Sequence, residues 1–392
     1  MSSPSIQKIP FIDLMVQQER IRHEVDAAVS RVLDHGQYIM GPEVLELEKK
    51  LGELAGGVEV ISCSSGTDAI WLPLLAYGIG AGDAVFLPSF TFTATAEAVC
   101  LTGATPVFVD IDPQTFNIDP ASLCIALADV RAETDLRPRA VMPVDLFGLP
   151  APYTTIEPIA RENGLAIISD AAQSLGGRSG DVPVGKLADV TGTSFFPAKP
   201  LGCYGDGGAI FSGSSDLAET LRSIRVHGRG ASGKYDNVRV GTNARLDTIQ
   251  ASVLLEKLKI FDEEIALRQH VAGRYEAGLW DVVTTPSVPQ GSVSAWAQYT
   301  IVCEHRDDLA AALDNVGVPT QIYYPCPLHQ QLPYLNAPKP KAGLPVTEDL
   351  TSRVLSLPFY PYLPSHQQDQ VIESIRQFYI RRETKTTLGA AT

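Results

Sequence analysis

What the chain lacks narrows its possibilities first. Its six cysteines (Cys63, Cys100, Cys124, Cys203, Cys303 and Cys326) include no C-x-x-C pair and no neighbouring histidines at ligand spacing. That excludes a zinc ribbon and argues for reduced thiols rather than a disulfide framework. Positive charge is scarce: 31 Lys and Arg against 45 Asp and Glu leave a formal charge of −14. A sequence-independent nucleic-acid or membrane surface is not expected from such a balance. No run of eighteen apolar residues occurs, and the opening MSSPSIQKIP has no apolar core of signal-peptide length. The expectation is a soluble cytoplasmic protein without membrane or nucleic-acid partners. Internal repeats and low-complexity segments are also missing.

At 392 residues, with 45% hydrophobic and 19% charged residues, the chain is long enough for two domains with sizeable cores. Apolar residues at helical spacing predict a helix over Met15–Asp34, closed by Gly36, and a second opened by Gly41-Pro42. From Val58 onward seven short apolar runs (VEVIS, AVFLP, TPVFVD, AVMPV, LAIIS, VTGTSFF and GAIFS) alternate with helical segments. Those segments begin near Asp68, Thr91, Pro120, Thr154 and Ser215. This alternation predicts an α/β fold, a mostly parallel seven-stranded sheet with helices on both faces. Asp247–Gln269 reads as one long helix leading into a smaller α+β region. That region is expected to hold strands Trp296–Cys303 and Val318–Tyr324, a helix Arg306–Val316, a proline-rich loop and a last helix near Gln367–Arg381. The polar tail from Glu383 is expected to fray. The domain reading is an arm and helix over 1–35, a large domain over 36–260 and a small C-terminal domain over 261–392.

The chemistry centres on TSFFPAKPLGCYGDGGAIF, Thr193–Phe211. Lys199 lies between two prolines, which cannot continue a helix, so it sits on a turn between two strands. A lysine held rigidly there suits an amine nucleophile for Schiff-base chemistry; it equally fits a solvated turn residue. Three further features bear on that choice. Ser64-Ser65-Gly66-Thr67-Asp68 turns a strand into a helix and reads either as a phosphate site or as a plain N-cap. Asp170 ends the strand LAIIS, where open α/β sheets place ligands; it can pair with a ring nitrogen or cap the next helix. In SFTFTAT, Phe90 and Phe92 alternate, so one can stack on a ring while the other faces the core. Ser194 can complete a phosphate cup.

These motifs, with PFIDL, GQYIMGPEVLELE, FVDIDPQTFNID, ISDAAQSLGG, RVGTNARLDTIQASVL and YYPCPLHQQ, carry a resemblance from about Ile9 to Tyr362. The chain resembles the DegT/DnrJ/EryC1/StrS family of nucleotide-sugar aminotransferases, which use pyridoxal 5'-phosphate on the fold-type I aminotransferase architecture. It looks most like members that aminate a UDP-2-acetamido-2-deoxy-3-keto-hexuronate at C3, a step of cell-surface polysaccharide synthesis. A 4-keto nucleotide sugar is the alternative substrate, and a non-catalytic cofactor-binding regulator is an alternative of another class. The resemblance implies that Lys199 links the cofactor and moves the proton. It implies that Asp170 binds the ring nitrogen and Gln173 the 3-hydroxyl side. Gly66, Thr67 and Ser194 would hold the phosphate, with Phe92 over the ring. Asn243 would reach the phosphate of a partner subunit, the sites being shared across a homodimer. Arg245, Tyr323, Tyr324 and His329 are the candidate sugar contacts, L-glutamate the expected donor, and no metal is expected. Tyr323 stands where many members have histidine, which loosens the link to one sugar.

Overall fold

A computed structural model describes residues 8–233 and 235–389. The first nine strands are β1 (Glu59–Cys63), β2 (Asp83–Pro88), β3 (Thr105–Val109), β4 (Arg137–Val141), β5 (Ala166–Asp170), the short β6 (Arg178–Ser179) and β7 (Val182–Pro183), β8 (Val190–Ser194) and β9 (Gly208–Ser212). Seven of them form one sheet in the order β1-β9-β8-β5-β4-β2-β3. β3, β2, β4, β5 and β8 run parallel, and β9 is antiparallel to both of its neighbours. The mostly parallel α/β sheet expected from the sequence is therefore present, with one reversed strand.

The strands are mostly buried, and largely apolar at their centres, because both faces are covered; β4 (RPRAV) opens with an exposed Arg137. Ile61, Val85, Leu87, Ile168, Val190 and Ile210 enter one core with the helices Gly66–Ala76, Ala94–Leu101 and Ser215–Ile224. Their neighbours Ala84, Phe86, Val107, Val141 and Ile167 enter the opposite core with helices Pro120–Glu133 and Tyr153–Asn163. Val60, Ala209 and Phe211 on that side pack with helices Pro42–Leu54 and Thr248–Leu258. Parallel strands share one carboxyl rim, and Asp170 and Ser194 are the last residues of adjacent strands there.

Both long predicted helices are broken. Met15–Asp34 resolves into Leu14–Arg20 and Arg22–His35, parted at Ile21 (φ −118°, ψ 17°); Gly36 ends the second at φ 68°. Asp247–Gln269 resolves into Thr248–Leu258 and Phe261–Leu279. At that joint Lys259 N and Ile260 N bond three residues back, to Glu256 O and Lys257 O, tightening the last turn. The apolar spacing hides the break because Leu254 and Phe261 enter the same core on either side of it.

Beyond it, β10 (Ser292–Val293) pairs with β6, and β11 (Tyr299–Val302) pairs antiparallel with β12 (Val354–Leu357). β11 lies within the expected strand, but Val318–Tyr324 is not a strand: only a bridge Gln321–Ser356 forms. Its place in the sheet is taken by β12, which follows a helix, Pro345–Arg353, that the sequence pattern did not reveal. The last helix is longer than expected, Ser365–Gly389, so the backbone from Glu383 continues the helix instead of fraying. A second core gathers Tyr275, Tyr299, Ile301, Leu355, Leu357 and Val371. The N-terminal arm is fastened to it, Ile9 N donating to Gly317 O (3.0 Å) and Phe359 N to Phe11 O (3.1 Å).

Candidate active site at the carboxyl rim of the sheet

After Ser194 the chain folds back on itself before returning as β9. Lys199 N donates to Phe196 O (2.9 Å), Phe195 N to Gly207 O (2.8 Å) and Cys203 N to Phe195 O (2.8 Å). The loop is tight where glycines stand. A Cβ on Gly208 would lie 2.3 Å from Ser65 O, and one on Gly202 would lie 2.4 Å from Pro197 O. This packing fixes a half-buried Lys199 opposite the end of β5. Burial lowers the pKa of its amine, and the negative charge of Asp170 works against that shift.

Asp170 is 6% exposed. Its Oδ2 accepts from Thr95 Oγ1 (2.7 Å) and its Oδ1 from Ala172 N (3.2 Å). Burial raises its pKa; the Thr95 and Ala172 hydrogen bonds and the Lys199 charge oppose that. Behind it the fully buried Asp145 is pushed up to about 6 by desolvation, against hydrogen bonds from Tyr153, Ala151 and Ser174. The Asp145 N–H donates to the Asp170 carbonyl (3.0 Å), so the two carboxylate segments are joined through backbone.

The third element is the start of the helix Gly66–Ala76. The first N–H groups of a helix have no intrahelical acceptor. Ser65 Oγ takes the one from Asp68 (3.0 Å), leaving those of Gly66 and Thr67 for an outside anion. Ser194 lies directly beside them, for a Cβ on Gly66 would be 2.5 Å from Ser194 Cβ. Gly66, Thr67 and Ser194 thus form one cup, next to Asp170 on the neighbouring strand and to Lys199.

Gln173, also 6% exposed, is held at both ends of its amide. Oε1 accepts from Phe147 N (2.6 Å), and Nε2 donates to Tyr324 OH (3.3 Å). Tyr324 stands among Phe90 (ring centroids 6.1 Å), Phe92 (6.4 Å) and Tyr323 (5.8 Å). Phe90 is core, fully buried against Phe116 and Phe147; Phe92 is 58% exposed at the rim. The alternation expected along SFTFTAT therefore separates the two rings.

Three candidates stand apart from this cluster. Asn243 is exposed, its backbone bridged to Val226, and Arg245 has a buried Nε without a hydrogen-bond partner. His329 is 5% exposed, with Nδ1 2.8 Å from Ser89 Oγ and Nε2 3.0 Å from Glu348 Oε1. Both ring nitrogens have partners within the chain. The Thr95 hydroxyl on Asp170 and the Phe147 amide on Gln173 are contacts the residue patterns did not disclose. Thr95 was in view within SFTFTAT; its bond to Asp170, 75 positions on, exists only once β2 and β5 share a rim.

The geometry suits a cofactor with a phosphate for the helix start, a planar ring bearing a basic nitrogen for Asp170, and a carbonyl for Lys199. Residues 19–376 match the DegT/DnrJ/EryC1/StrS aminotransferase family. The chain belongs to that family. A UDP-2-acetamido-2-deoxy-3-oxo-D-glucuronate aminotransferase of Pseudomonas aeruginosa is 48% identical over 91% of this chain and 96% of its own length. Among solved structures, a DegT DnrJ EryC1 StrS aminotransferase from Brucella abortus superimposes with a TM-score of 0.93 at 54% identity, covering 94% of this chain and 99% of that one. NtdA from Bacillus subtilis, solved with bound cofactor PMP, gives 0.86 at 31% identity, covering 96% and 86%. The family match spans both the sheet and the C-terminal region.

Proposed function

We propose that the protein transfers an amino group from L-glutamate to the 3-keto carbon of a UDP-2-acetamido-2-deoxy-hexuronate, using pyridoxal 5'-phosphate. The observation that carries this reading is the half-buried Lys199 amine facing the Asp170 carboxylate beside an open helix start. The uronate assignment draws on the 48% identity to the Pseudomonas aeruginosa enzyme. Bound here, pyridoxal phosphate supplies the electron sink that stabilises a carbanion at the carbon losing its proton.

The residues of the chain supply the rest. The N–H groups of Gly66 and Thr67 and the hydroxyl of Ser194 bind the phosphate dianion at the positive end of the helix. The Asp170 carboxylate keeps a proton on the ring nitrogen, since a neighbouring negative charge favours the protonated base. Gln173, fixed by Phe147 N and Tyr324 OH, orients the ring's 3-hydroxyl side. Phe92 covers the ring. Desolvation keeps the Lys199 Nζ neutral at lower pH than a free lysine, so it can attack a carbonyl and then carry a proton between carbons. Tyr323 and Tyr324 line the opening on the sugar side. Asn243 reaches the phosphate held by a second copy, and Arg245 pairs with the sugar carboxylate or the diphosphate.

The test is turnover with purified protein, cofactor and glutamate on UDP- and dTDP-linked 3-keto and 4-keto sugars. Formation of 2-oxoglutarate and of an amino sugar from the 3-keto uronate alone is the expected result. Preference for a 4-keto sugar would overturn the substrate assignment. Failure of glutamate to bleach the visible absorbance of the loaded protein would overturn the reaction itself.

A further inference from the structure

Asp170 is not held by its own strand alone. We infer that Thr95 is a positioning residue for the transamination, acting through Asp170 to keep the proton on the ring nitrogen of the cofactor. The inference rests on the function proposed above and adds to it a residue outside the cofactor-binding set.

Thr95 is fully buried, and its Oγ1 lies 2.7 Å from Asp170 Oδ2. An ionised carboxylate only accepts, so the Thr95 hydroxyl hydrogen is committed to it. Thr91 Oγ1 lies 3.2 Å behind Thr95 Oγ1. With the Thr95 hydrogen already given away, Thr91 must be the donor in that pair. The result is a directed relay, Thr91 to Thr95 to Asp170, each bond polarising the next. On its other oxygen Asp170 receives the Ala172 N–H (3.2 Å). Each carboxylate oxygen is thereby anchored by one donor and keeps free lone-pair capacity for a further N–H.

The consequence for the reaction follows from acid–base competition. A buried aspartate and a pyridine ring share one proton between them. Whatever stabilises the carboxylate anion lowers its basicity and leaves the proton on nitrogen; whatever removes an anion-stabilising donor draws the proton toward the carboxylate. Hydrogen bonds from Thr95 and Ala172, with the charge of Lys199, are what oppose the desolvation of Asp170, and Thr95 is the first of them. Thr95 reaches Asp170 from a different strand end, the segment after β2, so it also fixes the carboxylate rotamer across the rim. Its methyl group meanwhile occupies buried space, which is why valine substitutes for its shape but not its chemistry.

The experiment loads the full protein with pyridoxal phosphate labelled with 15N in the ring and reads the nitrogen chemical shift. Wild type, Thr95→Val, Thr95→Ala and Thr95→Ser are compared, alongside kcat and KM for the keto sugar. The expected result is a protonated-ring signal in wild type and Thr95→Ser. In Thr95→Val and Thr95→Ala the signal moves toward that of an unprotonated pyridine. With it, kcat falls about tenfold, the worth of one hydrogen bond to a charged group, while KM is unchanged. A wild-type nitrogen signal in Thr95→Val, or in Thr95→Ala should the valine variant fail to fold, overturns the inference. So does a Thr95→Ser signal that follows the valine variant. A wild-type protein that holds no labelled cofactor overturns instead the function on which the inference rests.

Discussion

Two lysines of this chain, one half-buried and one buried, lie in different regions with different surroundings. Lys199 sits half-buried on the rim loop, and Lys257 is 2% exposed in the helix Thr248–Leu258. Burial lowers the pKa of both, that of Lys257 to about 8, and in each case a carboxylate opposes it, Asp170 at the rim and Glu264 at the helix. Their surroundings decide the outcome. Lys257 Nζ rests 4.4 Å from the centre of the Tyr204 ring, while Lys199 lies on the loop beside an anion cup and a carboxylate at an edge of the sheet. A depressed lysine pKa therefore marks desolvation and nothing more. Reactivity needs the adjoining cup and carboxylate as well.

That contrast is breakable by mutation. Lys199→Ala is expected to lower turnover by about a thousandfold or more and to abolish the visible absorbance of the loaded protein. Lys257→Met should leave both within a small factor of wild type; equal losses in steady-state assays and spectra would erase the distinction. Next in size is Gly208→Ala, whose new methyl would meet Ser65 O at 2.3 Å. A stability loss of about 1–3 kcal/mol, with weakened cofactor retention, is expected from denaturant titration and dialysis. Tyr324→Phe removes the hydroxyl that receives Gln173 Nε2, for a loss of about 1 kcal/mol in kcat/KM.

A last effect is in pH dependence. Lys257, with a folded pKa near 8 against 10.5 unfolded, binds fewer protons when folded between those values. Its penalty is full below pH 8 and fades as pH rises toward 10.5. The thermal midpoint of Lys257→Met minus that of wild type should then shrink across this window by about 4 °C. A constant difference would show that the Lys257 amine titrates as it does in water.

How much of this was legible in the sequence depends on how locally each feature is encoded. The parallel strands were readable because most are buried on both faces and carry short apolar runs, and their carboxyl ends could be placed together. Lys199, Asp170, Gln173, Gly66, Thr67 and Ser194 all lie at such ends, so the rim cluster was within reach. β12 was not, because Val354–Leu357 is a short segment directly following a helix, and its partner β11 lies 52 residues earlier by the Val302–Val354 pairing. The partners of His329 were hidden for a related reason: Ser89 and Glu348, which meet its ring nitrogens, lie 240 and 19 positions away. The helix breaks at Ile21 and Ile260 were hidden because apolar periodicity records which side faces the core, not whether the axis turns.

The contact between Gly66 and Ser194 has a consequence for how such sequences vary. Because a Cβ at 66 would come within 2.5 Å of Ser194 Cβ, the two positions share the room for one side chain. They should change together, as a pair of letters spelling one cup. Gly66→Ala alone is then a damaging change, and Ser194→Gly beside it a repair of shape that restores packing but not the missing hydroxyl. Comparing the double variant with each single one separates what the cup owes to its form from what it owes to its donor.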